Sequence, residues 1–293
     1  MLSHRSNFPD ILALASFPLG ITSDPLTQFA VLLSALIHDV DHRGIGNADL
    51  AKEDVTMAAM FENKSIAEQN SLDIAWESLM DPSFAELRQC IYADEDELLR
   101  FRALLVNATL ATDIFDKDLG ALRKRRWEKA FSIPDEITNA QDIHRKATIV
   151  IEHLIQASDV SHTMQHWHVY QKWNERLFHE MYLAYRLGRT DNDPSRGWYK
   201  GELWFFDNYV IPLAKKLESC GVFGVSSDEF LNYATANRNE WEAKGEEVVA
   251  KMVEKYSSLY PGKEKGCACL LESDSKTTAT TDTDDKTVIA IDV

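Results

Sequence analysis

Residues 28–38, QFAVLLSALIH, carry apolar side chains at nearly every position and few turn formers, which predicts a buried helix. Residues 49–79 show apolar positions at mixed helical spacing, interrupted around Asn63 and Lys64, and a helical pattern returns over residues 94–115. Residues 116–134 read as a charged connector, in which Lys124-Arg125-Arg126-Trp127 is a solvated face. Over residues 142–160 a further helix is predicted, with Ile151, Ile155 and Asp159 stacked on one line at four-residue steps. Helices follow over residues 167–188, 200–218 and 226–260, and residues 189–197 form a polar loop. Ser226-Ser227-Asp228-Glu229 gives the last helix an N-terminal cap and an acidic first turn. No strand of any length alternates and no segment repeats, so the fold class is all-α. Beyond Pro261-Gly262 the composition changes, and residues 273–285 are rich in Thr, Ser and Asp with nothing apolar larger than Ala. Residues 1–260 are expected to form one domain, and 261–293 a disordered acidic tail.

Composition narrows the partners. The chain has 293 residues, 45% hydrophobic and 27% charged, enough for a sizeable core. Its formal net charge of −16 disfavours nucleic acid and anionic membranes. A small phosphate ligand remains compatible where a metal ion supplies local positive charge. Four cysteines, Cys90, Cys220, Cys267 and Cys269, suggest neither a disulfide framework nor a cysteine zinc site, and point to a reducing compartment. The first ten residues lack signal-peptide order, and no apolar run approaches the roughly 20 residues of a membrane span. A soluble, cytoplasmic chain is expected.

The chemistry begins where the first apolar helix ends. His38-Asp39-Val40-Asp41-His42 places two imidazoles and two carboxylates within little more than one turn, and Gly44 and Gly46 then favour a sharp bend. Imidazole with carboxylate suits Zn²⁺, whereas carboxylate with water suits Mg²⁺ or Mn²⁺. Asp39, with two oxygens, can bridge two such ions, and an ion pair of this kind clamps a phosphodiester and acidifies a water. The plainer alternative is a polar helix end with caps and salt bridges. Neighbouring residues cannot close a metal site, so a distant ligand is required. Asp159 is the candidate, because a carboxylate on the Ile151–Ile155 line would be costly to bury without a partner. It could instead cap the next segment or pair with an arginine.

At this point the residues resemble a known family. His38 to Asn47, HDVDHRGIGN, is similar to the H-D-x-D-H-x-G-x-x-N motif of class I cyclic-nucleotide phosphodiesterases. Ser65-Ile66-Ala67-Glu68, Leu110-Ala111-Thr112-Asp113, the stretch Ala157 to His162, Gln171-Lys172-Trp173 and Phe205-Phe206-Asp207 with Ile211-Pro212-Leu213 resemble further family segments in the family's order. The resemblance implies a compact multi-helix bundle of the HD-type phosphodiesterase fold. It also implies hydrolysis of a 3′,5′-cyclic nucleotide to the 5′-monophosphate by in-line attack of hydroxide. Two divalent metal ions are implied: a zinc held by His38, Asp39 and Asp159, and a magnesium or manganese reached through Asp39 and waters. His42, Glu68 and Thr112 would hold those waters.

The same resemblance places Phe205 under the purine; the plainer alternative is a core aromatic on an apolar helix, which is how Trp204, Phe206 and Tyr209 read. Three residues before Phe205 the family usually has a glutamine, and here stands Glu202. An ionised glutamate only accepts hydrogen bonds, which matches the two adjacent donors of guanine and tilts the expected preference toward cGMP. The family's upstream H-N-x-x-H-A motif, implied source of a leaving-group acid and a fourth zinc ligand, has no counterpart in residues 1–17, whose one histidine is His4. A sequence that begins late is the expectation, and a metal-poor, degenerate relative the alternative. Asn70-Ser71, where the family usually has two histidines, reads as lineage variation. Rival readings are another HD-type nucleotide phosphohydrolase and an inactive cyclic-nucleotide-binding relative. Regulatory or cyclase domains could be fused or associated, and the parent protein could then be membrane-bound.

Overall fold

In a computed structural model, residues 24–131, 140–221 and 228–260 are described, the side chains of 140–145 excepted. The expected acidic tail, the stretch containing His4, and Ser226-Ser227 of the expected cap lie outside the described residues. The described chain is all-α, without a strand: α1 Pro25–Ile37, α2 Asn47–Glu53, α3 Val55–Met60, α4 Ile66–Met80, α5 Ala85–Ile91 and α6 Glu95–Ala111, then α7 Lys117–Phe131, α8 Ala140–Asp159, α9 Trp167–Arg186, α10 Trp198–Phe205, α11 Ile211–Ser219 and α12 Glu229–Leu259. A π-turn, Phe206–Val210, joins α10 to α11 without a break.

Two apolar cores organise these helices. In one, α1 packs on α6 through Leu26, Ala30, Ile37, Phe101 and Leu105, with Trp76 and Leu79 of α4 against them. In the other, α9, α10, α11 and α12 enclose Tyr170, Phe178, Phe206, Leu213 and Trp241. Burial of these side chains, each worth about 1.5–3 kcal/mol, outweighs the weak propensity of individual turns. Helix α8 lies between the cores, touching α1 and α6 on one side and α11 on the other. The ends of α1 and α8 therefore meet where the two cores adjoin.

Residues 117–131 are a helix rather than a connector. Asp116 accepts from the backbone N–H groups of Asp118 and Leu119, at 2.9 Å each, and so starts it. The apolar stripe is hidden in the sequence because Arg123 occupies it. That side chain is buried, and its Nη2 donates to the Asp113 carbonyl at 2.9 Å. The basic run is a solvated face only in its first half, where Lys124 and Arg125 are exposed. Arg126 pairs with the buried Glu152 of α8 at 2.6 Å, and Trp127 stacks on Phe131 with centroids 4.2 Å apart. At the start of α12, Asp228 stands at the N-cap position but makes no side-chain cap bond. No helix among the described residues is long and apolar enough to cross a membrane.

Candidate metal centre and nucleotide pocket

The backbone of His38 still belongs to the end of α1, its N–H donating to the Ser34 carbonyl at 3.0 Å. Its Nδ1 lies 3.0 Å from the Ala35 carbonyl, a contact that requires Nδ1 to carry the hydrogen. Nε2 is thereby turned outward, 3.4 Å from Asp39 Oδ2 and 3.4 Å from Asp159 Oδ1. It is buried and has no hydrogen-bond partner among the described residues. One ligand atom from each of His38, Asp39 and Asp159 lies within 4.8 Å of the others. A tetrahedral ion with ligands at about 2.0–2.1 Å spans edges of roughly 3.3 Å, close to the two His38–carboxylate separations. The neighbouring Asp159 carboxylate, and then Asp39, push the His38 imidazole up to about 9 against the opposing effect of burial. An imidazole nitrogen that makes no well-aligned hydrogen bond, facing two carboxylates that favour positive charge, fits a divalent cation in place of the ring proton.

Asp159 reaches this position from the last turn of α8, but it is not buried as its helical line suggests. Its side chain is 33% exposed, because the line of Ile151 and Ile155 emerges from the core at that turn. The partner that the carboxylate requires is therefore argued from the geometry of His38 and Asp39, not from desolvation.

The loop after His38 is held from several sides. Asp41 adopts the left-handed region at φ 61°, which a non-glycine residue keeps only under surrounding restraint. Asn70 Nδ2 donates to Asp41 Oδ2 at 3.2 Å, and Ser71 Oγ donates to the Val40 carbonyl at 2.7 Å. The Asn70-Ser71 pair thus has a local task on α4, namely tethering the loop that carries Asp39. Gly44 has φ 68°, and a Cβ there would sit 3.3 Å from Glu180 Cγ, so the turn needs glycine. Gly44 N–H donates to His42 Nδ1 at 3.3 Å, which leaves the neutral His42 ring with its hydrogen on Nε2, free to donate.

A second polar cluster forms beside it. Asn47 Nδ2 donates to Glu68 Oε2 at 2.9 Å and approaches Asp113 Oδ2 at 3.4 Å, while its Oδ1 accepts from Ala67 N–H at 2.9 Å. Ser65 Oγ donates to the same Asp113 oxygen at 2.8 Å. Burial raises the Glu68 carboxyl, and the Asn47 bond opposes that shift. Thr112 caps α6 and gives its hydroxyl hydrogen to the Thr109 carbonyl at 2.7 Å, so toward any water it can only accept. Gln156 Nε2 donates to the Ala111 carbonyl at 2.9 Å and ties α8 to that helix end.

Glu202 and Phe205 lie on α10. Glu202 accepts from the Tyr170 hydroxyl at 2.7 Å, and burial pushes its carboxyl up to about 7 despite that bond. The direction of this chain is fixed from its far end. Trp198 Nε1, which can only donate, gives to Asn174 Oδ1 at 3.1 Å, so the Asn174 amide faces Tyr170 Oη, 3.4 Å away. Tyr170 must then donate onward to Glu202. Phe205 is half-buried and stacks on Tyr209, centroids 5.3 Å apart and planes 17° from parallel. Phe206 is a core aromatic, but Trp204 is not, being 60% exposed on α10. Sequence reading missed Asn47, Tyr170 and Asn174. Asn47 closes the HDVDHRGIGN stretch and could have been singled out there, whereas nothing local marks Tyr170 as the partner of Glu202.

The profile of the 3′5′-cyclic nucleotide phosphodiesterase family matches residues 13–221, well over half the chain. The chain belongs to this family. Among similar proteins, the probable 3′,5′-cyclic-AMP phosphodiesterase pde-4 of Caenorhabditis elegans is 26% identical over 156 residues, covering 53% of this chain and 23% of that protein. The probable 3′,5′-cyclic phosphodiesterase pde-3 of the same organism is 22% identical over 235 residues, 74% of this chain and 32% of that one. The bovine dual specificity calcium/calmodulin-dependent 3′,5′-cyclic nucleotide phosphodiesterase 1B is 23% identical over 153 residues, 52% of this chain and 26% of its own length. The chain thus spans less than a third of the length of these curated relatives. The crystal structure of the phosphodiesterase domain of Salpingoeca rosetta rhodopsin phosphodiesterase shares the fold, with TM-score 0.59 and 22% identity over 85% of this chain and 76% of that one. The all-α, HD-type bundle is thereby established for the described residues.

Proposed function

We propose that this chain hydrolyses a 3′,5′-cyclic nucleotide to the 5′-monophosphate, with residues 1–260 as the catalytic domain and 261–293 as a tail outside it. The observation that carries this reading is the unpartnered His38 Nε2 facing Asp39 and Asp159 at 3.4 Å each. In this reading His38, Asp39 and Asp159 hold Zn²⁺, and Asp39 also faces Mg²⁺ or Mn²⁺ through water. A bound divalent cation supplies an acidified water and neutralises charge on the phosphate. The Ala35 carbonyl keeps the His38 ring turned toward the carboxylates. His42, with its hydrogen on Nε2, donates to water or a phosphate oxygen. Glu68, steadied by Asn47, and Thr112, an acceptor only, orient water from the other side.

Phe205 supplies the stacking face for the purine, which favours binding without choosing the base. Glu202 makes the choice, its Oε2 steadied by the Tyr170 hydroxyl and both carboxylate oxygens keeping lone pairs that can accept from a base. As a carboxylate it pairs with guanine's two donors, and as a carboxylic acid it can donate to adenine, so the tilt toward cGMP belongs to the ionised form. Regulatory or cyclase domains fused to or associated with this one, in a cytoplasmic setting, belong to the same reading; the relatives' greater length is compatible with added domains but does not identify them.

Purified chain supplied with Zn²⁺ and Mg²⁺ should release 5′-monophosphate from cAMP or cGMP, stop on chelation, and resume on adding the metals back. Cleavage confined to linear nucleotides would instead assign another HD-type phosphohydrolase activity. Cyclic nucleotide that binds but stays intact would identify a binding relative.

A further inference from the structure

Tyr209 has a hydroxyl that the fold does not use. Its oxygen is buried and, among the described residues, has no hydrogen-bond partner. Buried hydroxyls normally find one, because leaving water without a replacement bond is unfavourable. The residue lies on the π-turn Phe206–Val210, an element that re-aims the side chains following it and recurs at functional sites. Its ring stacks on Phe205, four residues earlier. Its hydroxyl is within electrostatic reach of the Asp159 carboxylate and of Arg123. Arg123 is committed elsewhere, to the carbonyls of Leu110 and Asp113. Tyr209 therefore stacks on Phe205 at one end and, at the other, feels the charge of Asp159 with a proton to give and no acceptor among the described residues. Burial and Asp159 push the phenol far above its ordinary range, so it remains a neutral donor throughout the working pH span.

In the cyclic-nucleotide reading a ligand has its base on Phe205 and its phosphate at His38, Asp39 and Asp159, and Tyr209 is coupled to both ends, by its ring stack on Phe205 and by the influence of Asp159 on its hydroxyl. We propose that Tyr209 is a positioning residue whose Oη–H donates to a phosphate oxygen of the bound nucleotide. This rests on the cyclic-nucleotide reading above and adds a residue to it. The donor would hold the phosphate at a set distance from the stacked base, and so select nucleotides over nucleosides independently of which base is present.

Tyr209→Phe removes the oxygen and keeps the ring, so stacking on Phe205 survives. Calorimetric titration of metal-loaded wild type and variant would compare the 5′-monophosphates of guanosine and adenosine with the matching nucleosides. The expected result is a loss of about tenfold or more in monophosphate affinity, with nucleoside affinity within about twofold of wild type. Tyr209→Leu, which also removes the ring, should weaken nucleosides and monophosphates alike, and thermal melting of each variant reports its folding. Equal monophosphate affinity in wild type and Tyr209→Phe would overturn the inference and leave the cyclic-nucleotide reading standing. So would reduced zinc retention with an unchanged ratio of monophosphate to nucleoside affinity, which would assign the hydroxyl to Asp159. A wild type that binds no nucleotide when loaded with metal would remove the reading itself, and this inference with it.

Discussion

Tyr170 on α9 donates its hydroxyl hydrogen to Glu202 on α10 across 2.7 Å, and the direction of that bond is imposed by Trp198 through Asn174. The Glu202 carboxyl is therefore held in place but not held in one charge state. Burial lifts it to about 7, so small changes of pH near neutrality alter what it can offer a purine.

The ratio of kcat/KM for cGMP to that for cAMP should rise as pH increases from 6 to 8, since ionised Glu202 only accepts. Glu202→Gln should flatten this dependence. A ratio that is the same at both pH values in the wild type would remove Glu202 from base selection. Stability carries the same signature with its own sign. The folded carboxyl keeps its proton up to about 7, whereas an ordinary glutamate loses it near 4.5. The folded state thus binds more protons between those values, and stability contributed by this group is fully present below about 4.5 and is lost as pH rises toward 7. Denaturant titrations of wild type and Glu202→Gln across that window measure the difference.

Asp159→Asn keeps the shape of the side chain and removes its charge. Zinc affinity measured by competition with a chromophoric chelator should fall by more than the roughly 10–100-fold that changes around a metal site typically cost. Retention of full zinc affinity would exclude Asp159 as a ligand.

Asn47→Asp places a third carboxylate against Glu68 and Asp113, where the wild-type amide donates. The expected loss of stability is about 2–3 kcal/mol at pH 8. It should be smaller at pH 5, because protonation of the already raised Glu68 carboxyl relieves the repulsion. Urea unfolding at the two pH values checks both the magnitude and its direction.

Gly245→Ala tests the packing of the long C-terminal helix. A Cβ there would lie 2.8 Å from Tyr199 Cδ2 and 2.9 Å from the ring of Trp241, a side chain that is fully buried. The indole is also tied to the Tyr199 carbonyl by a 3.0 Å hydrogen bond, so it cannot easily move aside. Destabilisation of about 1–3 kcal/mol is expected, read as a lower urea midpoint at unchanged slope.

What the sequence shows of this protein follows from how local each feature is. The apolar run before His38 forecasts α1 to within a few residues, since one nearly continuous stripe admits few alternatives. His38 and Asp39 stand out by their adjacency and Asp159 as a candidate at the end of a regular helical line, but it is the family resemblance that implies the three act together. Helix α7 escaped because a buried arginine, satisfied by carbonyls at the end of α6 and the turn after it, stands where an apolar residue would have revealed the stripe. The pairing of Tyr170 with Glu202 left no local trace, being made across a helix–helix contact. Asn70 and Ser71 looked like neutral replacements because the backbone they tether, at Asp41 and Val40, lies on a different element.

The meeting of His38 from the end of α1 with Asp159 from the end of α8 has a mechanical consequence. In the proposed metal reading, an ion bound there would staple together two segments far apart along the chain, closing a loop that runs through α2 to α8. Loading and folding then become linked equilibria, in which each added increment of free metal favours the closed arrangement and resists its opening. A preparation stripped by chelators and one kept in micromolar zinc would differ in compactness, protease resistance and melting point as well as in turnover, and comparisons between them would be comparisons of two conformational ensembles.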